Sequence, residues 1–356
     1  MDMILNETPI KTSKNFGINN ILITDIKLTD KINKFGNVNI LNNNEKVIIN
    51  SNVKNQYLKY NLSDKLTDEI INKANLKLNI DIESNSVNKN DIILDFNFDD
   101  KNTTLIDNIL INAKEGSTTS IIIFYKTNSE EGEFYHNGLL KVNLEKNAKL
   151  KVVVINTLNN YSNNFYVFNN NLEENSNLEH VILDFGCKNS ISNYYSNVAG
   201  DNAKNDLNTI YLGRENNVFD INYILELYGK ETNANIEVQG ALMDKSKKNY
   251  KGTIDFKQGS KKAKGNENEN CMLLSNTAKS KSLPMLLCHE DDVEGNHSMS
   301  AGRLQDSDLF YIMSRGIDKK SAIKLLVRSK FNCIIDKIEN SKIKEMILDE
   351  IDRRLV

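Results

Sequence analysis

Runs of alternating apolar and polar residues fill the middle of the chain. LLKVNL and LKVVVI flank Asn147, NFYVF and LEHVIL flank Asn175, and INYILEL and IEV flank Asn233. A period of two places successive side chains on opposite faces of a strand, so each run predicts a β-strand.

A motif of Gly or Asn followed by a small residue recurs between these runs. Its copies lie 26 to 31 residues apart, a spacing typical of solenoid repeats. Gly and Asn tolerate the positive φ of a sharp corner, and Ala or Ser fits where successive turns stack closely. The copies are Gly116-Ser117, Asn147-Ala148, Asn175-Ser176, Asn202-Ala203, Asn233-Ala234 and Gly259-Ser260.

The repeat predicts an all-β core, a right-handed parallel β-helix whose rungs stack about 4.8 Å apart. The alternative is a two-sheet sandwich, which many short strands with Asn-rich turns also suggest. Sandwich strands recur every 8 to 12 residues, roughly, without a higher period, whereas this chain has one. The predicted parts are a β-rich N-terminal segment (1–90), the β-helix (91–304) and a small C-terminal α-helical domain (305–356).

Both ends of the chain carry helix signals. In the N-terminal segment, residues 66–72 after Ser63 predict one short helix. Near the C terminus, Asp306 is expected to cap LFYIMSR and Gly316 to end it, Asp318 to cap a second helix and Ser341 to open a third. The alternative role for these helices is a cap over the end of the solenoid. The apolar residues at helical spacing are Leu309, Ile312 and Met313, then Ala322, Leu325, Leu326, Ile334, Ile335 and Ile338, then Ile343, Met346, Ile347, Ile351 and Leu355.

Composition and charge restrict the partners and the location. Lys and Arg total 45 against 48 Asp and Glu, a formal net charge of −3, which argues against nucleic acid. Apolar runs are far shorter than the roughly 20 residues of a membrane span. The first residues, MDMILNETPIKTSKN, lack the order of a secretory signal. We therefore expect a cytoplasmic protein without a membrane partner.

The residues that could carry chemistry are few. Cys187, Cys271, Cys288 and Cys333 lie far apart, which favours reduced thiols over a disulfide framework. The chain has no phosphate-binding glycine loop, no G-x-S-x-G elbow and no H-E-x-x-H, so we expect a non-catalytic protein. Spacing also argues against a closed zinc site, because adjacent Cys288 and His289 would face opposite ways on a strand. His136, His180, Cys187 and Cys333 are interpreted as structural or surface residues.

Three C-terminal segments resemble one family. GTIDFKQGSKKAKGNENENCMLLSNTAKS, PMLLCHEDDVEGNH and SAGRLQDSDLFYIMSRGI look like the last rungs and first C-terminal helix of the SufB/SufD family of iron–sulfur cluster assembly scaffolds. The segment GNHSMSAGR is more similar to SufD members than to SufB members of the family, because Ser298 replaces the glutamate that follows the histidine in SufB.

The resemblance implies a scaffold that pairs with a SufB-like protein and docks a SufC-like ABC ATPase, with a transient Fe–S cluster at the scaffold interface and no permanent cofactor. It makes His297 a candidate cluster ligand, since imidazole suits iron and leaves a cluster labile. Cys271 matches the position of a SufB cysteine, but burial as a small hydrophobe remains its alternative role. The expected ATPase contact surface comprises Phe310, Tyr311, Met313, Arg315, Gly316 and Ile317.

Two other functions remain open at the level of the sequence. Parallel β-helices also cleave acidic polysaccharides, and Asp291, Asp292 and Glu294 near Arg303 could form such a site. The other alternative is a homodimeric scaffold in which two copies of His297 face each other across a two-fold axis.

Overall fold

The computed structural model describes residues 2–12, 14–24, 26, 32–43, 45–53 and 58–355. Its helices are a short 3₁₀ turn at Lys14–Phe16, α1 (Asp64–Lys73), α2 (Asp306–Met313), α3 (Lys319–Ile335) and α4 (Ser341–Arg354). Its strands are β1 (Met3–Leu5), β2 (Ile21–Ile23), β3 (Val38–Leu41), β4 (Val47–Asn50), β5 (Leu76–Ile82), β6 (Ile92–Phe98), β7 (Thr104–Ala113), β8 (Thr118–Thr127), β9 (Tyr135–Leu144), β10 (Lys149–Thr157), β11 (Asn163–Leu172), β12 (Asn177–Asp184), β13 (Asn189–Val198), β14 (Lys204–Gly213), β15 (Val218–Leu227), β16 (Asn233–Leu242), β17 (Lys247–Phe256), β18 (Ala263–Leu273), β19 (Lys279–Cys288) and β20 (Val293–Arg303).

Strands β5 to β20 alternate between two sheets. Sheet I contains β3 and the even-numbered strands β6 to β20, and sheet II contains β4 and the odd-numbered strands β5 to β19. From β5 onward each strand pairs in parallel with the strand two places along the chain. The chain therefore forms a parallel β-solenoid of about eight turns, as predicted. Parallel pairing excludes the antiparallel sandwich.

The predicted corners are confirmed with one exception. Asn147, Asn175 and Asn202 have φ between 54° and 59°, Gly116 and Gly259 also have positive φ, and the small residue after each is buried. The prediction of a corner at Asn233 is wrong. Asn233 begins β16, while Glu231 takes the positive φ (55°) and buried Thr232 follows it. Strand register requires this placement. The first residues of β14 and β16, Lys204 and Asn233, are paired, and Asn202 and Glu231 each lie two residues before them.

The N-terminal segment closes one end of the coil and covers one side of it. β3 and β4 pair antiparallel with β6 and β5, at the start of each sheet. The β1–β2 hairpin and α1 pack on the outer face of sheet II, where Leu66 and Ile70 meet Phe165. The predicted α1 is confirmed, and Ser63 Oγ accepts from the Leu66 amide at 3.3 Å. Parallel pairing begins at β5, inside the segment predicted as 1–90.

Helices α3 and α4 lie along the outer face of sheet I. Their apolar residues, among them Phe331 and Ile347, pack on outward-facing positions such as Val153, Val181 and Ile210. The alternative role of the helices as a cap over the solenoid end is therefore wrong. Outward positions under these helices, including Ile122, Val153 and Leu183, are apolar and buried, so this part of the sheet requires a cover.

Several details of the helices differ from the prediction. Asp306 is the first residue of α2 rather than its N-cap, and the N-cap residue, Gln305, makes no side-chain capping hydrogen bond. Leu325 and Met346 are exposed rather than core residues. Gly316 has φ +85° beyond the end of α2, and Asp318 caps α3 by accepting from the Ser321 amide, both as predicted. None of the helices in the described ranges is long and apolar enough to cross a membrane.

Candidate functional site at the open end of the solenoid

The end of the solenoid formed by β19 and β20, here called the open end, has no described strand stacked on it. In the described part of the chain, β20 pairs only with β18 and β19 only with β17. Almost every residue of β20 is exposed, whereas β3 and β4 cover the opposite end. A long edge strand of this kind leaves a row of backbone N–H and C=O groups ready to pair with another chain.

His297 lies on β20 at the rim of the solenoid interior. Its register partner on β18 is Glu267, whose side chain is buried inside the coil. Residues paired in a parallel ladder share a face, so the imidazole occupies the inward-facing side of the last rung. No rung covers it, and His297 is exposed. The imidazole is therefore within reach of a neighbouring protein.

Cys271 points into the same interior but lies deeper. It is 3% exposed, pairs with Ala301 and belongs to the main hydrophobic core. Burial raises the pKa of its thiol, against the nearby Lys248 ammonium, which lowers it. Its register partner, Ala301, lies four residues beyond His297 on β20, so the two positions are about 13 Å apart along the strand direction at 3.3 Å per residue. The structure thus places both candidate ligands inside the coil but not side by side.

A buried polar cluster surrounds Cys271. Glu269 accepts hydrogen bonds from Lys248 Nζ (2.7 Å), Tyr211 OH (2.9 Å) and Ser282 Oγ (2.9 Å). Glu269, Lys248 and Tyr211 are almost completely buried. An interior carboxylate with three donors, one of them charged, is a satisfied group that fixes the side chains around it.

Glu267 is less well satisfied. Tyr250 OH donates to its Oε1 at 2.7 Å, while Oε2 is buried and has no hydrogen-bond partner among the described residues. Burial raises the pKa of Glu267 to about 7. Neither glutamate was predicted as a site residue from the sequence. The signal was the alternation NENENC, which places Glu267, Glu269 and Cys271 on one face of a strand.

Cys288 and His289 diverge, as the sequence predicts. Cys288 is paired with inward-facing Phe256 and is exposed at the open end. His289 follows the end of β19, and its Nε2 lies 3.6 Å from Asp255 Oδ1. No three His, Cys, Asp or Glu side chains in the described ranges are grouped so that they could hold a metal ion together.

Helix α2 presents a second exposed surface. Phe310 and Tyr311 are 74% and 61% exposed, and no residue of α2 is buried. Arg315 Nη2 donates to Tyr311 OH at 2.7 Å, and the guanidinium carbon lies 5.0 Å from the centre of the Tyr311 ring. Of the other predicted contact residues, Met313 and Gly316 are exposed and Ile317 is half-buried. Exposed aromatic and arginine side chains are typical of protein interfaces.

The remaining histidines and cysteines occupy structural or surface positions. His136 is buried, with Nδ1 2.6 Å from Asn164 Oδ1 and Nε2 3.0 Å from Asp107 Oδ2. His180 is buried, and burial lowers its pKa to about 3. Cys187 is buried and Cys333 is exposed.

The polysaccharide-cleaving alternative required carboxylates beside Arg303. Glu294 and Arg303 lie near opposite ends of β20, nine residues apart along one strand. At 3.3 Å per residue their backbones are about 30 Å apart, so this carboxylate–arginine group does not assemble within the chain.

Comparisons with known proteins show a family similarity that spans most of the coil and the C-terminal segments. Residues 96–330 match the family model described as SUF system FeS cluster assembly, SufBD core domain. The iron–sulfur cluster assembly protein SufD of Bacillus subtilis is 24% identical over 257 residues, covering 71% of this chain and 58% of the relative. SufD of Escherichia coli is 26% identical over 156 residues, 44% of this chain and 37% of the relative. A SufBD family protein of Pyrococcus horikoshii is 26% identical over 217 residues, 60% and 46%. The chain spans about half the length of these curated relatives.

Proposed function

The chain belongs to the SUF-system SufBD core family of Fe–S cluster assembly proteins, and we propose that it is a non-catalytic, SufD-like scaffold subunit. In this role it pairs with a SufB-like scaffold through the open end and docks a SufC-like ABC ATPase through α2. The observation that carries the proposal is the exposed edge of β20 with His297 on its inward-facing side.

Pairing at the open end is expected because the edge strands carry unpaired backbone groups. Stacking a second solenoid on β19 and β20 would satisfy their free backbone groups and cover the half-buried Leu286, Val293 and Met299. A SufB-like partner would then share a continuous interior with this chain. A second copy of the chain could stack in the same way, and the mass of the isolated chain separates the two cases.

The cluster is the cargo of this interface. A neutral imidazole at the rim can bind iron and leaves a cluster more labile than four thiolates would. Cys271 would act as a ligand only after an opening of the last rung, because the isolated chain holds it buried with a raised pKa. ATP-driven closure of two ATPase subunits would pull on α2. This pull would shift the interface between a closed state and a state in which the last rung is open.

One experiment tests pairing at the open end. Met299→Lys places a charge on the inward side of β20, and inward-pointing charges block addition to an edge strand. We expect it to abolish co-purification with a co-expressed SufB-like scaffold. Asn296→Lys is the matched control, because Asn296 lies on the outward side of the same strand, beside exposed Asn266. Equal co-purification of both variants would contradict the pairing mode.

Two further variants test the ligand and the docking surface. His297→Ala is expected to reduce anaerobic cluster build-up on the assembled complex without dissociating it, and unchanged build-up would remove the ligand role. Tyr311→Ala combined with Arg315→Ala should abolish binding of the SufC-like ATPase, whereas Leu325→Ala, an exposed apolar residue of α3, should not. Intact binding by the double variant would exclude α2 as the contact.

A further inference from the structure

A basic cleft lies between strand β2 and the first residues of the last strands of sheet II. Its volume is about 490 Å³, and Lys188, Lys247, Lys279 and Lys281 line it with exposed side chains. None of the described residues that line the cleft is acidic. Residues Ile21 to Ile23 of β2 form another wall of the cleft. The cleft is therefore a confined space with four positive charges.

This arrangement differs from that at three other corners of the coil. At each of those corners a lysine faces a glutamate one rung further on. The examples are Lys114 with Glu145 at 2.8 Å, Lys146 with Glu174 at 2.8 Å and Lys264 with Glu294 at 3.0 Å. In the cleft, Lys279 is instead paired in register with Lys247, which destabilises the strand pair because like charges are directly opposite.

Nothing nearby in the described structure neutralises these lysines. No ion pair involves Lys188, Lys247 or Lys279 among the described residues, and Lys281 donates to the Phe16 carbonyl at 2.7 Å. The neighbouring Lys248 is directed into the interior, where it pairs with Glu269. Repulsion between the cleft lysines would be relieved by a bound anion.

We propose that the cleft binds a small polyanion with at least two phosphate-like charges. Lysine ammonium groups bind phosphate oxygens as mobile point charges, and three rungs of lysines can contact more than one such group. The cleft volume lies within the range of small-ligand sites, roughly 300 to 1,000 Å³. The wall formed by β2 favours a small ligand over a nucleic-acid duplex.

Calorimetric titration of the full chain with inorganic pyrophosphate at low salt tests the proposal. Lys247→Gln combined with Lys279→Gln is expected to weaken binding at least tenfold. The matched control, Lys149→Gln combined with Lys204→Gln, removes two charges from exposed strand starts in sheet I and should change affinity less than twofold. Thermal unfolding checks that both variants remain folded.

The proposal would be overturned by no binding to the unmodified chain, by equal weakening in the two double variants, or by tighter binding of short duplex DNA than of pyrophosphate. Inorganic phosphate should bind at least tenfold more weakly than pyrophosphate, and equal affinities would contradict the requirement for two charges. ATP that binds more tightly than pyrophosphate would identify a nucleotide as the ligand, whereas equal affinity would identify an inorganic polyanion.

Discussion

Glu267 should make the stability of the isolated chain depend on pH. Glu267 is 2% exposed, and burial raises the pKa of its carboxyl group from 4.5 to about 7. Below pH 4.5 the group is protonated in both the folded and the unfolded chain, so it adds no pH dependence. Between pH 4.5 and 7 the unfolded chain ionises first, and the free energy of unfolding falls as the pH rises.

The magnitude follows from the two pKa values. Each unit of difference corresponds to about 1.4 kcal/mol, so the loss is about 3 kcal/mol and is complete above pH 7. Glu267→Gln keeps the shape and the acceptor for Tyr250 OH but cannot ionise. The variant should therefore gain stability relative to the unmodified chain as the pH rises from 5 to 8, by about 2.5 kcal/mol over that range.

Urea unfolding followed by circular dichroism at several pH values measures this gain. Glu294→Gln is the matched control, because it removes a charge from the exposed end of β20, and its curve should run parallel to that of the unmodified chain. Glu269→Gln should instead lose roughly 3–5 kcal/mol, since it leaves buried Lys248 unpaired. A constant difference between Glu267→Gln and the unmodified chain across pH 5–8 would refute the reasoning.

Two other predictions concern the packing of the coil. Burial lowers the pKa of His180 to about 3, so the folded chain loses stability as the pH falls from about 6.5 towards 3. His180→Leu removes this titration and should therefore reduce the loss of stability on acidification. Urea midpoints at pH 6.5 and 4 measure this, and equal losses in variant and unmodified chain would contradict it. Arg354→Met should destabilise the chain by about 3–5 kcal/mol, because this buried guanidinium pairs with Glu350 and donates to backbone carbonyls of the solenoid, including Leu158 at 2.9 Å. Arg353→Met, a surface pair with Glu350, should cost under about 1 kcal/mol, and similar urea midpoints for the two variants would be inconsistent with this role.

The coil was predictable because its corners repeat a steric requirement. A positive φ followed by a buried small residue recurs at Asn147, Asn175 and Asn202, and only Gly or Asn adopts that φ at little cost. The corner at Glu231 could not be predicted in this way. The register of the stacked rungs places the positive φ on a glutamate, which has no intrinsic preference for it. Local propensity could not reveal this, because register is set by the neighbouring rungs.

The site was predictable only in part. The resemblance selected His297, and alternation on β20 is enough to place it on one face, but the sequence left open whether the C-terminal helices cover the end of the solenoid. Glu267 and Glu269 read as polar strand positions, and their burial depends on partners such as Tyr250 and Lys248 from the facing sheet. The packing of α3 and α4 on sheet I was likewise not predicted, because it depends on which outward strand positions are apolar and need to be buried.

The most direct test of pairing at the open end is thiol labelling of the isolated chain and of its complex with a SufB-like scaffold. Cys288 is exposed at the open end, and Cys333 is exposed on α3, away from it, as an internal control. Both thiols should react with a maleimide in the isolated chain, and the complex should protect Cys288 while Cys333 reacts at an unchanged rate. Unchanged labelling of Cys288 in a stoichiometric complex would contradict the account.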